Sequence, residues 1–198
     1  MTAMRHIITG GSGFTGKRLL HALAARGEEA VVFDLVAPDQ DTDGKVGFVQ
    51  GDIRRSEDVA RIGLKAGDVV HHLAARQFHG EVPKRDRDAW FADVNVGGTR
   101  VLLEAMARGG ADRLVFFSTD MTYGAPSQTP VPADHVQAPI GPYGRSKLAA
   151  EQLLLEAVGE KRLNATIFRP RLISGAGRLG VLAKLFKLVS LSAPVPMI

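Results

Sequence analysis

Tyr143 and Lys147 stand four residues apart in the segment Tyr143-Gly144-Arg145-Ser146-Lys147. If this segment is helical, the two side chains lie on one face, one turn apart. An ammonium beside a phenol favours the phenolate, so we expect the pKa of Tyr143 to fall from about 10 toward neutral pH. A phenol tuned in this way exchanges a proton with a substrate hydroxyl or carbonyl group. The pair is weak evidence by itself, because most Tyr/Lys pairs at this spacing decorate a surface.

A glycine-rich segment near the start of the chain supplies the second signal. A short apolar run over residues 5–9 precedes it, and leucines at helical spacing follow it. Its glycines fit two versions of one pattern, beginning at Gly11 or at Gly10 and continuing through Gly13 and Gly16. Strand, glycine loop and helix together predict a dinucleotide site, because the backbone approaches a pyrophosphate closely and the helix N-terminus presents free N–H groups.

Asp34 ends the next apolar run, about 20 residues beyond the glycines. A carboxylate at this position accepts hydrogen bonds from the adenosine ribose hydroxyls and repels a 2′-phosphate. Asp34 therefore predicts NAD rather than NADP as the cofactor. Ala74 and Ala75 follow a later apolar run and are small enough for a cofactor to lie against their backbone.

Strand-like and helical patterns alternate along the chain, which predicts an α/β fold with a doubly wound parallel sheet. The strands are expected at 5–9, 29–35, 46–49, 68–73, 114–118 and 164–168. A helix capped by Ser56 is expected over 57–64, and further helices are expected over 88–108, 143–158 and 178–191. The paired glycines Gly97 and Gly98 lower the stability of their helix, so we expect close packing there.

Composition narrows the classes of function. The chain has 198 residues, no cysteine and a net charge of +4 with scattered basic residues. It shows no signal peptide, and no apolar run approaches the roughly 20 residues of a membrane span. These features indicate a cytoplasmic protein that binds neither nucleic acid nor membrane. His71 and His72 lie inside a predicted strand without partners at metal-ligand spacing, so we interpret them as packing residues and predict no metal site.

Several motifs in the right order now resemble one family. The first set is Thr9-Gly10-x-x-Gly13-x-x-Gly16, Asp34, Asp52-Ile53 and His72-Leu73-Ala74-Ala75. The second set is Asn95, Ser118-Thr119 with Tyr123-Gly124, Tyr143-x-x-x-Lys147 and Arg169-Pro170. Together they resemble the extended short-chain dehydrogenase/reductases, in the NAD-dependent epimerase/dehydratase branch. The match covers essentially the whole chain.

The resemblance implies a Rossmann fold and assigns roles around an NAD molecule. It places Gly10, Gly13, Gly16 and Phe14 at the pyrophosphate, Asp34 at the adenosine ribose, and Asp52 and Ile53 at the adenine. It implies that Leu73, Ala74, Ala75 and Pro170 line the cofactor trough and that Asn95 lies near the nicotinamide end. It assigns acid/base chemistry to Tyr143, the nicotinamide ribose to Lys147, and a hydrogen bond to the reacting oxygen to Thr119.

Two departures bear on the choice within the family. Met121 stands where the dehydratase pattern has a glutamate, and a thioether cannot act as a base, which argues against a 4,6-dehydratase. Leu172 stands two residues past Pro170, where nucleotide-sugar enzymes often carry an asparagine that contacts the substrate. This second departure weakens a nucleotide-sugar assignment without excluding it.

Family members usually run to roughly 300 residues, and their last part builds the substrate domain. We therefore expect residues 1–170 to form the NAD-binding Rossmann domain and residues 171–198 to begin a substrate-binding domain in a truncated chain. The apolar end, Ala193-Pro194-Val195-Pro196-Met197-Ile198, has no terminating signal and supports this expectation.

Three functions remain open from the sequence. The first is a nucleotide-sugar epimerase that works by hydride transfer, with Tyr143 as acid/base. The second is an NAD-dependent dehydrogenase or reductase of a small or hydrophobic alcohol or ketone, steroid-like or flavonoid-like, which Leu172 favours slightly. The third is a non-catalytic NAD-binding protein. The resemblance also implies a homodimer packed through the helices of Asn95 and Tyr143.

Overall fold

The computed structural model describes residues 4–39, 46–78, 81–178 and 180–191. Within them, six strands form one sheet in the order β3-β2-β1-β4-β5-β6, and every neighbouring pair is parallel. The strands are β1 (Arg5–Thr9), β2 (Glu29–Asp34), β3 (Val46–Gln50), β4 (Val69–His72), β5 (Arg113–Phe117) and β6 (Asn164–Phe168). All six predicted strands are present, and the doubly wound α/β fold is confirmed.

Within the same described ranges, six α-helices connect and follow the strands: α1 (Phe14–Ala25), α2 (Ser56–Ala60), α3 (Arg87–Ala92), α4 (Thr99–Gly109), α5 (Pro142–Gly159) and α6 (Val181–Ser190). Asp93–Gly98 forms a π-helical turn between α3 and α4, and Asp120–Thr122 forms a 3₁₀ turn after β5. The proline-rich stretch 125–141 contains no helix or strand. Among the described residues, no helix combines the length and the apolar composition needed to cross a membrane.

The sheet is buried on both faces because helices cover each of them. On one face, Leu20 and Leu23 of α1 pack with Ile8 and Val32 of the strands. On the other face, α4 and α5 contribute a larger cluster that includes Leu102, Met106, Ala150 and Leu154. Successive residues of β1, Ile7 and Ile8, enter opposite clusters. The continuous apolar runs of the inner strands follow from this double burial.

The strand order reverses direction at β1, whose neighbours are β2 and β4. The chain leaves β1 toward α1 on one side, and later leaves β4 toward α3 on the other. In open α/β sheets such a reversal leaves a crevice at the carboxyl ends of the strands, where ligands bind. The fold therefore brings the residues after Thr9, Asp34 and His72 to one edge of the sheet.

Two helices differ from their predicted form. Helix α2 begins at Ser56 and ends at Ala60, and its N-cap is Arg55 without a side-chain capping bond, so the prediction that Ser56 caps a helix over 57–64 is wrong. After Ala60 the backbone N–H groups bond to carbonyls three residues back, and Gly63 reaches φ +62°, which ends the helix. The carbonyls of Ile62 and Gly63 then accept hydrogen bonds from the Arg5 guanidinium at 2.7 and 3.0 Å.

The predicted helix over 88–108 is present as α3, the π-helical turn and α4 in succession. Close packing is found at Gly98, where an added Cβ would lie 2.6 Å from Cγ2 of Ile53. At Gly97, the nearest atom to such a Cβ is a carbonyl oxygen of its own segment, at 3.9 Å. Close packing therefore requires glycine at position 98 and does not require it at position 97. The predicted helix 178–191 is present from Val181, whereas the apolar end 193–198 lies outside the described residues.

Candidate functional site

A cleft of about 890 Å³ runs along the carboxyl edge of the sheet. Its volume lies in the usual range for sites that hold a small molecule or cofactor. Most residues that the sequence analysis assigned to the cofactor and the chemistry line this one cleft: Gly10, Gly13, Phe14, Gly16, Asp34, Asp52, Ile53, Leu73, Ala74, Ala75, Thr119, Tyr143 and Pro170. Asn95 and Lys147 do not line it, and both are buried behind its wall.

The glycine loop has the close backbone contacts that a phosphate cradle requires. Gly10 has φ +70°, and a Cβ there would lie 2.6 Å from the backbone nitrogen of Ala74. A Cβ on Gly16 would lie 2.4 Å from the carbonyl oxygen of Gly11. Gly13 is the N-cap of α1 and has no side chain to bond the first N–H groups of the helix. Those N–H groups and the positive end of the helix dipole are therefore available to an anion in the cleft.

Asp34 lies at the end of β2, directly beside the glycine loop. Its Oδ2 accepts a hydrogen bond from the backbone N–H of Ser12 at 3.0 Å, and its Oδ1 accepts a longer one from Val36 at 3.4 Å. The carboxylate is held in place by backbone on both sides, and it still lines the cleft. This is the geometry expected of a group that binds ribose hydroxyls.

Asp52 and Ile53 form the far wall of the same end. The Asp52 carboxylate is bound by the Arg54 guanidinium, whose hydrogen bonds hold the pKa of Asp52 below its usual range. Ile53 is buried and contacts Gly98 of the π-helical turn, so its side chain is fixed from behind. An apolar side chain beside an anchored carboxylate fits a flat purine ring with polar edges.

The buried side chain of Thr9 holds the backbone that forms the trough after β4. Oγ1 of Thr9 contacts Nδ1 of His72 at 2.7 Å and accepts a hydrogen bond from the N–H of Ala74 at 3.3 Å. The other ring nitrogen of His72 lies 3.0 Å from Oγ1 of Thr99. Burial lowers the pKa of His72 to about 3, so its ring is neutral. The interpretation of His72 as a packing residue is confirmed.

His71 lies on the other face of β4 and contacts the ring of His6 at 2.9 Å between Nε2 and Nδ1. Burial and the neighbouring His6 lower the pKa of His71 to about 4. His71 is therefore a packing residue as well. Over the described ranges, no group of three potential metal-ligand side chains lies together.

Tyr143 is buried at the opposite end of the cleft, on the first turn of α5. Its ring packs against Phe78 and Phe91, with ring centroids 5.3 and 5.6 Å away. The Gln77 side chain hydrogen-bonds the phenol. The phenol therefore faces the cleft while its ring is held by aromatic neighbours from two segments.

The prediction that the pKa of Tyr143 falls is wrong for this structure. Burial raises the pKa to about 12, and the Asp120 charge adds to the rise, whereas Gln77 and the Arg178 charge lower it. The ammonium of Lys147 is directed elsewhere, with Nζ 4.0 Å from the centroid of the Phe116 ring. A helical spacing of four residues places two side chains on one face but fixes neither where the longer one ends nor how dry the site is.

Lys147 is only 2% exposed. Burial lowers its pKa to about 7, against the opposing charge of Glu151. The amine therefore changes protonation state near neutral pH. It stands behind the cleft wall, one turn along α5 from Tyr143, over an aromatic face that favours its cationic form.

Glu151 lies one turn further along α5 and is fully buried. Its carboxylate accepts hydrogen bonds from Ser118 at the end of β5, from Gln137 in the proline-rich stretch and from Arg169 after β6. Arg169 in turn donates to the phenol oxygen of Tyr123 at 2.8 Å. One carboxylate thus joins α5 to three other segments around the Tyr143 end of the cleft.

Thr119 follows Ser118 directly and begins the 3₁₀ turn. Its Oγ1 accepts a hydrogen bond from the N–H of Met121 and lies 3.3 Å from Oδ1 of Asp120. The carbonyl of Pro170 accepts a hydrogen bond from the N–H of Asp120 at 3.2 Å. Thr119 and Pro170 therefore reach the cleft through the same turn.

Asn95 is held behind the cleft wall by hydrogen bonds to two segments. Its Oδ1 accepts the N–H of Arg76 at 2.8 Å, and its Nδ2 donates to Oγ of Ser146 at 2.9 Å. The side chain joins the loop after β4 to α5 and is only 1% exposed. Asn95 acts here on the residues that line the cleft rather than on the cleft itself.

Sequence reasoning missed several residues of the wall, among them Arg76, Gln77 and Arg178. Arg76 stacks on the Trp90 ring and pairs with Asp93 at 3.0 Å. These residues lie in irregular segments, where no periodicity predicts which side chain turns inward. The only signal was position, because 76 and 77 directly follow a strand end at the carboxyl edge of the sheet.

A sequence model of the NAD dependent epimerase/dehydratase family matches residues 6–196. The UDP-glucose 4-epimerase of Rhizobium meliloti (strain 1021) is 38% identical over 182 residues, which cover 88% of this chain and 54% of that protein. The crystal structure of UDP-glucose 4-epimerase from Brucella ovis in complex with NAD superposes with a TM-score of 0.75 at 34% identity, covering 84% of this chain and 51% of that one.

The Bordetella bronchiseptica enzyme WbmG in complex with NAD and UDP is similar over 98% of this chain and 62% of its own, with a TM-score of 0.76 and 25% identity. The chain spans about half the length of the curated relatives it matches. The family match over nearly the full chain agrees with the glycine cradle, Asp34 and the Tyr143 end of a single cleft. The chain belongs to the NAD dependent epimerase/dehydratase family.

Proposed function

We propose that this chain is the NAD-binding part of a nucleotide-sugar epimerase. The observation that carries the proposal is the single cleft, in which the glycine cradle and Asp34 lie at one end and Thr119 and Tyr143 at the other. Relatives named as UDP-glucose 4-epimerases and a neighbour that holds both NAD and UDP support it. Because the chain spans about half of those relatives, the activity belongs to the whole protein.

The cradle fits a dinucleotide for a steric reason. An added Cβ at Gly10, Gly11 or Gly16 would lie less than 3.0 Å from a neighbouring atom. Only glycine therefore lets the backbone of this loop approach a ligand closely. Gly10, Gly13, Gly16 and Phe14 would hold the pyrophosphate, Asp34 the adenosine ribose, and Asp52 with Ile53 the adenine. Leu73, Ala74, Ala75 and Pro170 would line the trough. Bound NAD would supply the hydride chemistry.

Tyr143 and Thr119 would act on a sugar hydroxyl at the other end. As the carbon–hydrogen bond of the sugar is broken, its hydride would pass to bound NAD, the hydroxyl proton would pass to the deprotonated Tyr143 oxygen, and a carbonyl would form on the sugar. In the return step, Tyr143 would donate that proton back to the sugar oxygen, after the keto sugar has turned its other face to the cofactor. The Thr119 hydroxyl would hydrogen-bond the reacting oxygen in both directions.

A phenol with a raised pKa is a proton donor at neutral pH and suits the return step. For the forward step it must lose its proton, and the cations that lower its pKa come from the chain itself. The Arg178 charge already lowers the pKa of Tyr143. We propose that Lys147, with a pKa near 7, turns from the Phe116 ring toward the nicotinamide ribose and the phenol when the cleft is filled. Asn95 would hold the loop and α5 that frame this end.

We further propose that residues 171–198 begin the substrate-binding domain and that the protein is a homodimer. Leu155 and Val158 on α5 are 52% and 37% exposed, and apolar groups on an outer helix suit a contact with a second copy. A second candidate function, a dehydrogenase of a hydrophobic alcohol, is favoured by Leu172 and Ile173, which line the cleft where a polar substrate contact would be expected.

The test uses the whole protein and a Tyr143→Phe variant. We expect the wild type to release NAD on denaturation and to interconvert UDP-glucose and UDP-galactose, since the proton transfer is available. The variant should lose turnover at least a hundredfold and keep its NAD content, because general acid/base catalysis contributes about that much. A Tyr123→Phe variant is the matched control, since its phenol lies outside the cleft wall. Preserved turnover in Tyr143→Phe contradicts the acid/base role, and oxidation of hydrophobic alcohols without UDP-sugar conversion favours the second candidate.

A further inference from the structure

The segment after Pro170 folds back over the first turn of α1. Gly175 and Arg178 form an antiparallel bridge, with backbone hydrogen bonds of 3.0 and 2.9 Å. A Cβ on Gly175 would lie 3.3 Å from the Phe14 ring, and the Arg18 guanidinium donates to the carbonyl of Ala176 at 2.9 Å. This turn is therefore docked against α1 at the mouth of the cleft.

Docking brings the Arg178 guanidinium to a defined place. Its Cζ lies 5.6 Å from the centroid of the Phe14 ring, and the side chain lines the cleft. Its charge also acts on the phenol of Tyr143. Arg178 thus lies in the cleft beside the N-terminus of α1, within electrostatic reach of the Tyr143 end.

The charges along the cleft single this residue out. Three of its cations are committed to carboxylates: Lys17 to Asp39 at 2.7 Å, Arg54 to Asp52 at 2.5 Å and Arg76 to Asp93 at 3.0 Å. Arg171 and Arg178 also line the cleft, and neither pairs with a carboxylate of the residues that the structure describes. Of these two, Arg178 has its guanidinium positioned by an aromatic ring.

A guanidinium stacked on a ring keeps its N–H edges free for an oxyanion and loses little freedom on binding. Phe14 is the first residue of α1, so the guanidinium lies beside the free N–H groups at the start of that helix, which also favour negative charge. We propose that Arg178 binds a phosphate group of the ligand in the cleft, facing the glycine loop. The inference rests on the proposed function, which places two diphosphates in this cleft, one from NAD and one from the nucleotide sugar.

The experiment compares Arg178→Gln, Arg178→Lys and wild type in the whole protein. Calorimetry measures NAD binding to cofactor-depleted protein and UDP binding to NAD-loaded protein. We expect Arg178→Gln to weaken one of the two by about ten- to a hundredfold, as loss of a charged hydrogen bond predicts. A loss confined to NAD identifies the cofactor's pyrophosphate, and a loss confined to UDP identifies the substrate. Arg178→Lys should recover part of the affinity, because lysine keeps the positive charge but lacks the planar guanidinium that can bind two oxygens at once.

Arg108→Gln is the matched control, because Arg108 carries the same charge on an exposed part of α4 outside the cleft. Adenosine, which carries no phosphate, is the control ligand and should bind Arg178→Gln as it binds wild type. The inference is overturned if Arg178→Gln leaves both affinities unchanged, if Arg108→Gln shows the same loss, or if Arg178→Gln loses affinity for adenosine as well. In the first case wild type still binds NAD and UDP, so the proposed function stands. A wild type that binds NAD but no UDP contradicts the proposed function. In that case the NAD affinity of Arg178→Gln still shows whether Arg178 binds a phosphate group.

Discussion

The two ends of the cleft are built in different ways. At the glycine end, the backbone itself forms the surface, and side chains are excluded because a Cβ on Gly10 or Gly16 would overlap neighbouring backbone. At the Tyr143 end, the surface is carried by side chains that are themselves held by buried charges, above all Glu151. The first design is specified by local sequence, and the second depends on contacts between distant segments.

This difference predicts unequal responses to substitution. Removing a buried partner from a charge network leaves the remaining charge without compensation, which costs more than crowding a loop. We expect the largest effect at Glu151, a smaller one at Gly10 and the smallest at the Tyr143 phenol.

Glu151→Ala should have the largest effect. It removes the carboxylate from Arg169, which is only 18% exposed, and from Ser118 and Gln137. We expect the free energy of unfolding to fall by about 3 to 5 kcal/mol, as for other broken buried pairs. Chemical denaturation measures the change. Glu156→Ala, on an exposed face of the same helix, is the control and should stay within about 0.5 kcal/mol of wild type. Equal effects in the two variants would show that the network adds little.

Gly10→Ala should have an intermediate effect on stability and a large one on cofactor binding. Its φ of +70° strains any side chain, and the Cβ meets Ala74 at 2.6 Å. Gly27→Ala is a close control, since Gly27 has φ +72° with no atom within 4 Å of an added Cβ. Both variants bear the conformational strain, so the extra loss in Gly10→Ala, about 1 to 3 kcal/mol, measures the crowding alone. NAD binding should weaken only in Gly10→Ala, and weakening in both would contradict the close approach.

The smallest effect at neutral pH concerns the charge on Tyr143. Its pKa in the folded protein is about 12, above the ordinary value of about 10, so the phenol stays protonated. The unfolded chain loses this proton first as pH rises. The stabilisation is therefore complete below about pH 10 and disappears between about 10 and 12.

The measurement is the phenolate absorbance of wild type minus that of Tyr143→Phe, followed upward in pH while circular dichroism reports the fold. The chain has only two tyrosines, so the difference isolates Tyr143. We expect no phenolate from Tyr143 up to about pH 10. A phenolate signal near neutral pH in the ligand-free protein would restore the sequence-based prediction of a lowered pKa.

The same contrast explains what the sequence could predict. The glycine loop, Asp34 and the six strands follow from spacing and apolar runs, because each depends on residues close in the chain. The helix around Tyr143 and Lys147 was also predicted, but the direction of the lysine was not. Whether its Nζ faces Phe116 or the phenol depends on how β5 packs against α5, and such a contact leaves no periodic trace.

Gln77 and Arg178 were missed for a related reason. Both lie in segments without regular structure, where the inward or outward direction of a side chain is set by docking against another element. Asn95 was found by resemblance, yet its bonds to Arg76 and Ser146 give it a supporting place that a motif alone does not reveal. Motifs identify which residues matter more readily than they identify what each one touches.

The π-helical turn at Asp93–Gly98 has a consequence for the length of this segment. A π turn holds one more residue than an α turn, and each residue rotates a helix by about 100°. Deleting a single residue here would convert the π turn into an ordinary α turn, so α4 would keep its orientation, with Leu102 and Met106 in the core and Thr99 beside His72. An alignment gap of one residue within 93–98 therefore leaves the core residues of α4 correctly assigned, whereas the same gap within α4 would rotate every residue beyond it by about 100°.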